Sequence, residues 1–304
     1  MHDPIDFAIP VPLLIPNAET INIILIGCGG TGSYTAQILA RMAYHHQNLG
    51  TKKLQLTFID GDAFSNANIG RTLCCPSDVG KNKAEVLAAR YNAVWGLDIS
   101  AVPDMATREL VQTVMQNIRD RKSWSTSTIN IIVGAVDSAA GRQAMHAALD
   151  TRTSNAHNYL IDSGNTDHAG QVIFGSTAHL EQLRGAFALA SACTALPAPA
   201  LIAPALLHDD PTKHENDNAD CTSAMLRNQQ SLVVNQHQAV IIAEYIDALI
   251  NKNAITIYMT DIVTTPTIVV RSKPITVQNI ADDAKLSPEF LRGTAAHTYK
   301  ETNT

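Results

Sequence analysis

Three stretches of the chain are short and mostly apolar: Ile21-Asn-Ile-Ile-Leu-Ile26, Leu54-Gln-Leu-Thr-Phe-Ile59 and Ile129–Val133. Runs of this length and composition predict strands buried on both faces. Behind each run the apolar spacing widens to three and four residues, which predicts helices. They cover the stretch through about Met42, about Asn82 to Trp95, Thr107–Arg119 and Ala139–Leu149, with a short strand around Ile99–Val102. Strands alternating with helices build a parallel, doubly wound sheet.

After residue 150 the pattern changes. Tyr159–Asp162 and Gln171–Phe174 read as two strands flanking a turn-rich loop, Ser163-Gly-Asn-Thr-Asp-His-Ala-Gly170. Residues 187–220 are rich in Ala and Pro and end in a polar stretch, His208–Asp220, with no periodicity, which predicts a long mobile connection. A patterned helix follows from about Ser223 to Ile250. Ile255–Ile262 and Thr267–Arg271 then predict an antiparallel pair around Pro266. From about Gln278 the chain is polar and expected to be loosely attached, apart from a turn at Ser287–Leu291. No internal repeat is visible.

Composition narrows the function classes. The 304 residues are 45% hydrophobic and 16% charged, with a formal net charge of −6. That is a globular balance, and its mildly acidic sign argues against a general nucleic-acid binder. No apolar run reaches the roughly 18 residues a membrane span needs. The opening sixteen residues carry Asp3, four prolines and no basic region, so they are not expected to act as a signal peptide. Five cysteines, an odd number without any CxxC, point to a reducing, cytoplasmic setting and away from a thiolate zinc site.

The chemistry-bearing residues follow the strands. Gly27, Gly29 and Gly32 have GxGxxG spacing, with Gly30 inside it, directly after the first buried strand. At a helix start such glycines allow a tight turn and close approach of a phosphate, although the same turn serves as a plain connection. Asp60 and Asp62 cap the second strand, where a carboxylate accepts bonds from ribose hydroxyls. Asn68-Ile-Gly-Arg71 and Gly80-Lys-Asn-Lys83 add two cations beyond it, which suits a triphosphate better than a nicotinamide. Asp137 follows the Ile129–Val133 strand, placed either to hold Mg²⁺ or to cap the next helix.

In order along residues 21–142, GCGGTG (27–32), FIDGD (58–62), NIGR (68–71), VGKNKAEVLAAR (79–90) and GAVDSAAGR (134–142) resemble the ThiF/MoeB-type adenylyltransferases, the group that includes the ubiquitin-activating enzymes. Leu160-Ile-Asp-Ser-Gly-Asn165, Gly170–Gly175, and Cys221 ahead of Asn235-Gln-His-Gln-Ala239 continue the likeness. The finer resemblance is to the ThiF-like proteins of bacterial PRTRC systems. It implies a Rossmann-like fold and ATP-dependent adenylation of a carboxylate, commonly the C-terminal Gly of a ubiquitin-like or sulfur-carrier-like protein, by a homodimer. On that likeness Asp60 binds ribose, with Asp62 and the glycines beside it. Asn68, Arg71 and Lys83 hold phosphates, Asp137 positions Mg²⁺, and Cys221 takes the acyl group. Two departures stand out: the chain lacks the paired CxxC knuckle of many members, and its first arginine is Arg41, so the arginine that related members supply from an N-terminal helix across a dimer interface is absent or comes from elsewhere.

The resulting layout is an extended arm (1–20), an ATP-binding part (21–177), a mobile crossover loop (178–222), a long helix with antiparallel strands (223–277) and a polar tail (278–304). Cys221 precedes the helix start, which favours thiolate. Cys28, Cys74 and Cys75 read as packing residues, and Cys193 as a weaker nucleophile. His208, Asp209, Asp210, His214 and Glu215 form a polar face better suited to solvent than to a metal. Other readings remain open: adenylation of a peptide or tRNA carboxylate, a nucleotide-binding scaffold without turnover, or an NAD-dependent oxidoreductase. The last leaves Arg71, Lys83 and Asp137 together unexplained.

Overall fold

The structure, a computed structural model, describes residues 9–50, 52–117, 128–149, 156–166, 168–208 and 221–294, with side chains in the long helix from 232 onward. The strands are β1 (Leu13–Leu14), β2 (Thr20–Ile26), β3 (Lys53–Ile59), β4 (Ser100–Val102), β5 (Thr128–Gly134), β6 (Ala156–Asn165), β7 (Ala169–Gly175), β8 (Ala254–Ile255), β9 (Ile257–Val263) and β10 (Val269–Pro274). The helices are α1 (Gly30–Leu49), α2 (Lys83–Trp95), α3 (Arg108–Gln116), α4 (Ala139–Leu149), α5 (Pro199–Ile202), α6 (Cys221–Asp247), α7 (Val277–Asp283) and α8 (Pro288–Arg292).

Eight strands form one sheet in the order β10-β9-β7-β6-β5-β2-β3-β4. From β6 to β4 the pairs are parallel, while β7, β9 and β10 join antiparallel. The apolar runs behave as two-faced strands. Ile21, Ile23 and Leu25 pack into the core shared with α1, α2 and α6, and Ile24 and Ile26 into the one shared with α3 and α4. Because β3 and β5 flank β2, the chain reverses its winding there, opening a crevice at the carboxyl ends of β2, β3 and β5.

One row of this interior is polar. Asn22, Asn130 and Asn158 sit opposite one another on β2, β5 and β6. Asn22 Nδ2 donates to Asn130 Oδ1 (3.2 Å), and Asn130 Nδ2 donates to Asn158 Oδ1 (2.9 Å). A one-residue slip of any of these strands would separate the amides and bury them unmatched.

Two expectations are corrected. Residues 178–208 are not a loose loop. Leu183, Cys193, Leu196 and Ala198 are buried, and the segment is held by long-range bonds such as Ala198 N–H to Thr177 O (2.7 Å). Such packing leaves no period in the sequence. The C-terminal stretch is likewise folded as far as 294: α7 and α8, capped by Thr276 and Ser287, bury Ile280, Phe290 and Leu291, and Leu286 between them is buried too. Each helix is too short to display a helical pattern. The long helix begins at Cys221 rather than Ser223 and ends in a π turn, Ala248–Lys252.

Candidate active site

The turn after β2 is built for close approach. Gly27 has φ +89°, and a Cβ there would lie 2.4 Å from Ala135 O. A Cβ on Gly32 would lie 1.9 Å from Gly27 O, so the helix start folds directly back on the turn. At Gly29 a Cβ would meet nothing within 4 Å, so this face of the turn is open. At Gly30 it would meet Asn235 Nδ2 at 2.3 Å, because α6 crosses α1 there. Thr31 Oγ1 lies 3.1 Å from Asn235 Oδ1 and 3.0 Å from Gln238 Oε1, sharing one proton between two acceptors. Asn165 Nδ2 donates to the same Asn235 Oδ1 (2.5 Å), and Gln238 Nε2 donates to Gly164 O (2.7 Å). The buried amides of α6 thus join the glycine turn to the end of β6.

Asp60, at the tip of β3, faces this turn. Its Oδ2 accepts from Cys28 N–H (2.6 Å) and its Oδ1 from Asp62 N–H (2.8 Å). Burial raises the Asp60 carboxyl above its ordinary value, against the lowering effect of those two N–H groups and of Lys83. Lys83 Nζ pairs with Asp62 Oδ2 at 2.9 Å, and the Asp62 side chain is more than half exposed. Asn82 caps α2 by accepting from Glu85 N–H, and its Nδ2 donates to Asp60 O, which fixes the start of α2 to the strand tip.

Asn68 is buried, its Oδ1 accepting from Ser65 N–H (2.8 Å). Arg71 lies in the same loop, which is tied to α1 by Leu73 N–H donating to Ser33 Oγ (3.1 Å). The buried Nε of Arg71 has no hydrogen-bond partner among the described residues.

Asp137 follows β5. Ser138 takes the capping role weighed for it, accepting from Gly141 N–H (3.3 Å). The Asp137 side chain is exposed and makes no hydrogen bond among the described residues. It lines one end of a cleft of about 730 Å³ whose wall includes Gly164, Gln171, Asp261 and Arg271. These four residues are consecutive register partners across β6, β7, β9 and β10. Gln171 Nε2 donates to Asp261 Oδ1 (2.9 Å).

The structure therefore brings Gly27–Gly32, Asp60, Asp62 and Lys83 into direct contact. The segment before Asp137 joins them through Ala135 against Gly27, and Arg71 through its loop. Cys221 is the first residue of α6, but its side chain lies outside the described residues, as do Asp209, Asp210, His214 and Glu215. Cys193 is buried, and burial pushes its thiol up to about 12, which disfavours the thiolate a nucleophile needs. Ser138, Arg142, Asp162, Asn165, Asn235 and Gln238 carry no role in the expectations above, although all lie within the quoted segments.

These residues fit a magnesium nucleotide. The open face at Gly29, the unpartnered Arg71 Nε and the Asp60 carboxylate match an anion with an attached ribose. No group of three or more His, Cys, Asp or Glu that could hold a metal occurs among the described residues. A single carboxylate at Asp137 suits a cation whose other ligands are phosphate oxygens and water. Among the same residues no helix is long and apolar enough to cross a membrane.

Comparison with known proteins gives the family. The sequence model of the ThiF family matches residues 16–267. Ubiquitin-like modifier-activating enzyme 5 of Culex quinquefasciatus is 26% identical over 151 residues, 49% of this chain and 34% of that protein. The ATP-dependent ubiquitin transferase-like protein Cap2 of Pseudomonas aeruginosa is 33% identical over 93 residues, 29% of this chain and 16% of that protein. The structure of E. coli MccB with ATP superposes with a TM-score of 0.50 at 17% identity, covering 86% of this chain and 64% of that one, a likeness of fold alone. The chain spans about a third or less of the curated relatives it matches.

Proposed function

The chain belongs to the ThiF family, and from that premise we propose that it uses ATP to adenylate a carboxylate, with the C-terminal Gly of a ubiquitin-like or sulfur-carrier-like protein as the substrate. The observation that carries this reading is the contact of the glycine turn, Asp60, Asp62 and Lys83 at the ends of β2 and β3, with Asp137 following the adjacent strand β5 and lining a cleft. Asp60 holds the ribose, while Asn68, Arg71 and Lys83 hold the phosphates. Mg²⁺ at Asp137 supplies neutralisation of phosphate charge when bound.

A carboxylate oxygen of the substrate attacks the α-phosphorus. The bond from that phosphorus to the bridging oxygen breaks, and pyrophosphate leaves with the electron pair. Nucleophile and leaving group are both anions, so no proton transfer is required. The protein's work is alignment and stabilisation of charge.

The cleft supports a peptide tail. Gly164, Gln171, Asp261 and Arg271 lie on four adjacent strands, which at roughly 4.8 Å per strand spans about 14 Å, the reach of about four extended residues. Onward transfer to Cys221, action as a homodimer and a cytoplasmic location are parts of the same proposal. The test is exchange of labelled pyrophosphate into ATP, with a ubiquitin-fold protein ending in Gly as substrate. Asp137→Ala is expected to abolish exchange without loss of fold. Exchange at the wild-type rate in that variant would remove the assignment of Asp137, and exchange supported only by non-protein carboxylates would remove the substrate class.

A further inference from the structure

Behind Asp137 lies an ion pair that the adenylation scheme leaves without a task. The side chains of Arg142, on α4, and Asp162, on β6, are 10% and 5% exposed, and Arg142 Nε lies 3.3 Å from Asp162 Oδ2. Neither Arg142 Nε nor Asp162 Oδ1 has a hydrogen-bond partner among the described residues, so the two side chains meet as a close ion pair rather than through a formed hydrogen bond. The pair also excludes a side chain at residue 134: a Cβ on Gly134 would lie 2.8 Å from Asp162 Oδ1. As a stabilising device this is poor, since a buried carboxylate with one oxygen unmatched is costly.

The other end of the guanidinium shows what the pair does. Arg142 Nη2 donates to Val136 O (2.6 Å) and Ser163 O (3.4 Å), and Nη1 donates to Asp137 O (3.5 Å). It thereby gathers the two carbonyls on either side of the Asp137 nitrogen and Cα and ties them to the end of β6. Ser163 Oγ, which donates to Gly134 O (2.8 Å), adds a second tie between the same strands. The Asp137 carboxylate makes no hydrogen bond of its own among the described residues, so what fixes its place is the Cα–Cβ direction set by the backbone that Arg142 holds.

We infer that Arg142 is a positioning residue which, anchored by the buried carboxylate of Asp162, fixes the Val136–Asp137 backbone and so aims the Asp137 carboxylate at the metal of a bound nucleotide. This rests on the reading of Asp137 given above. Lysine is no substitute, because one ammonium cannot span three carbonyls set in a fork.

Isothermal titration of the full chain with ATP, in EDTA and then in excess MgCl₂, tests it without any substrate protein. Wild type is expected to bind ATP more tightly with Mg²⁺, and Asp137→Ala to lose that gain. Arg142→Lys, Asp162→Asn and the double variant Arg142→Gln/Asp162→Asn are expected to bind ATP in EDTA as wild type does, yet to lose about tenfold of the Mg²⁺-dependent gain. The double variant leaves no unpaired buried charge, so it stays folded even where a single change does not. If Asp137→Ala loses the gain while a folded double variant keeps all of it, the positioning role is overturned and the adenylation reading stands. If Asp137→Ala keeps the gain, the metal assignment falls and the inference falls with it.

Discussion

Asp162 shows how far one side chain departs from its ordinary chemistry. Burial pushes its carboxyl up to about 6, with Arg142 and the Ser163 N–H pulling the other way. The folded value exceeds the unfolded one, so between roughly pH 4 and pH 6 the native state binds more protons than the unfolded chain. Stability from this group is therefore full below about pH 4 and falls as pH rises through 6. The ceiling is about 3 kcal/mol, from two units at 1.36 kcal/mol each. Urea unfolding of wild type and Asp162→Asn at pH 4 and pH 7 reads it: wild type is expected to gain on the variant at the lower pH, and a constant difference would refute the shift. At this scale Asp60 and Asp137 are legible because each follows a strand, and Arg71 and Lys83 because they close the short segments Asn68–Arg71 and Gly80–Lys83. Asp162 and Arg142 are not, because their pairing depends on how α4 packs against β6, which no local spacing encodes.

At the scale of elements, the parallel half was legible and the connections were not. The runs around Ile24, Phe58 and Ile132 predict β2, β3 and β5 because a strand covered on both faces must be apolar throughout. The segment 187–208 and helices α7 and α8 escaped because their buried residues answer to distant partners. The asparagine row bridges the two cases. Each of Asn22, Asn130 and Asn158 looks like an interruption of its strand, yet together they specify how the strands align. Replacing Asn130 by Leu removes the shared partner of the other two amides at a cost of about 1–3 kcal/mol, measurable as a lower urea midpoint. A midpoint at or above that of wild type would show that the row contributes nothing to alignment.

Across the whole molecule, the cleft and the glycine turn open at one edge of the sheet, while α1 and α6 cover the face behind the turn. On α6, Val233 and Val240 are 42% and 50% exposed, and their spacing of seven places them on one stripe of the helix. The homodimer proposed above is tested on this stripe. Sedimentation equilibrium at micromolar concentration is expected to give a dimer for wild type and a monomer for Val233→Glu/Val240→Glu, and a monomeric wild type would end that part of the proposal.

The small sheet of β1 and β8, in which Leu13 faces Ile255, has a bearing on how the protein is made. Backbone bonds from Val11 N–H to Ile275 O and from Ile15 N–H to Asn253 O lie alongside it. The arm around Leu13 is thus stitched to segments that follow it far along the chain. On the ribosome β2, β3 and β5 are free to assemble before this seam, which stays open until Asn253 and Ile275 have emerged, leaving the apolar arm to be shielded in the meantime.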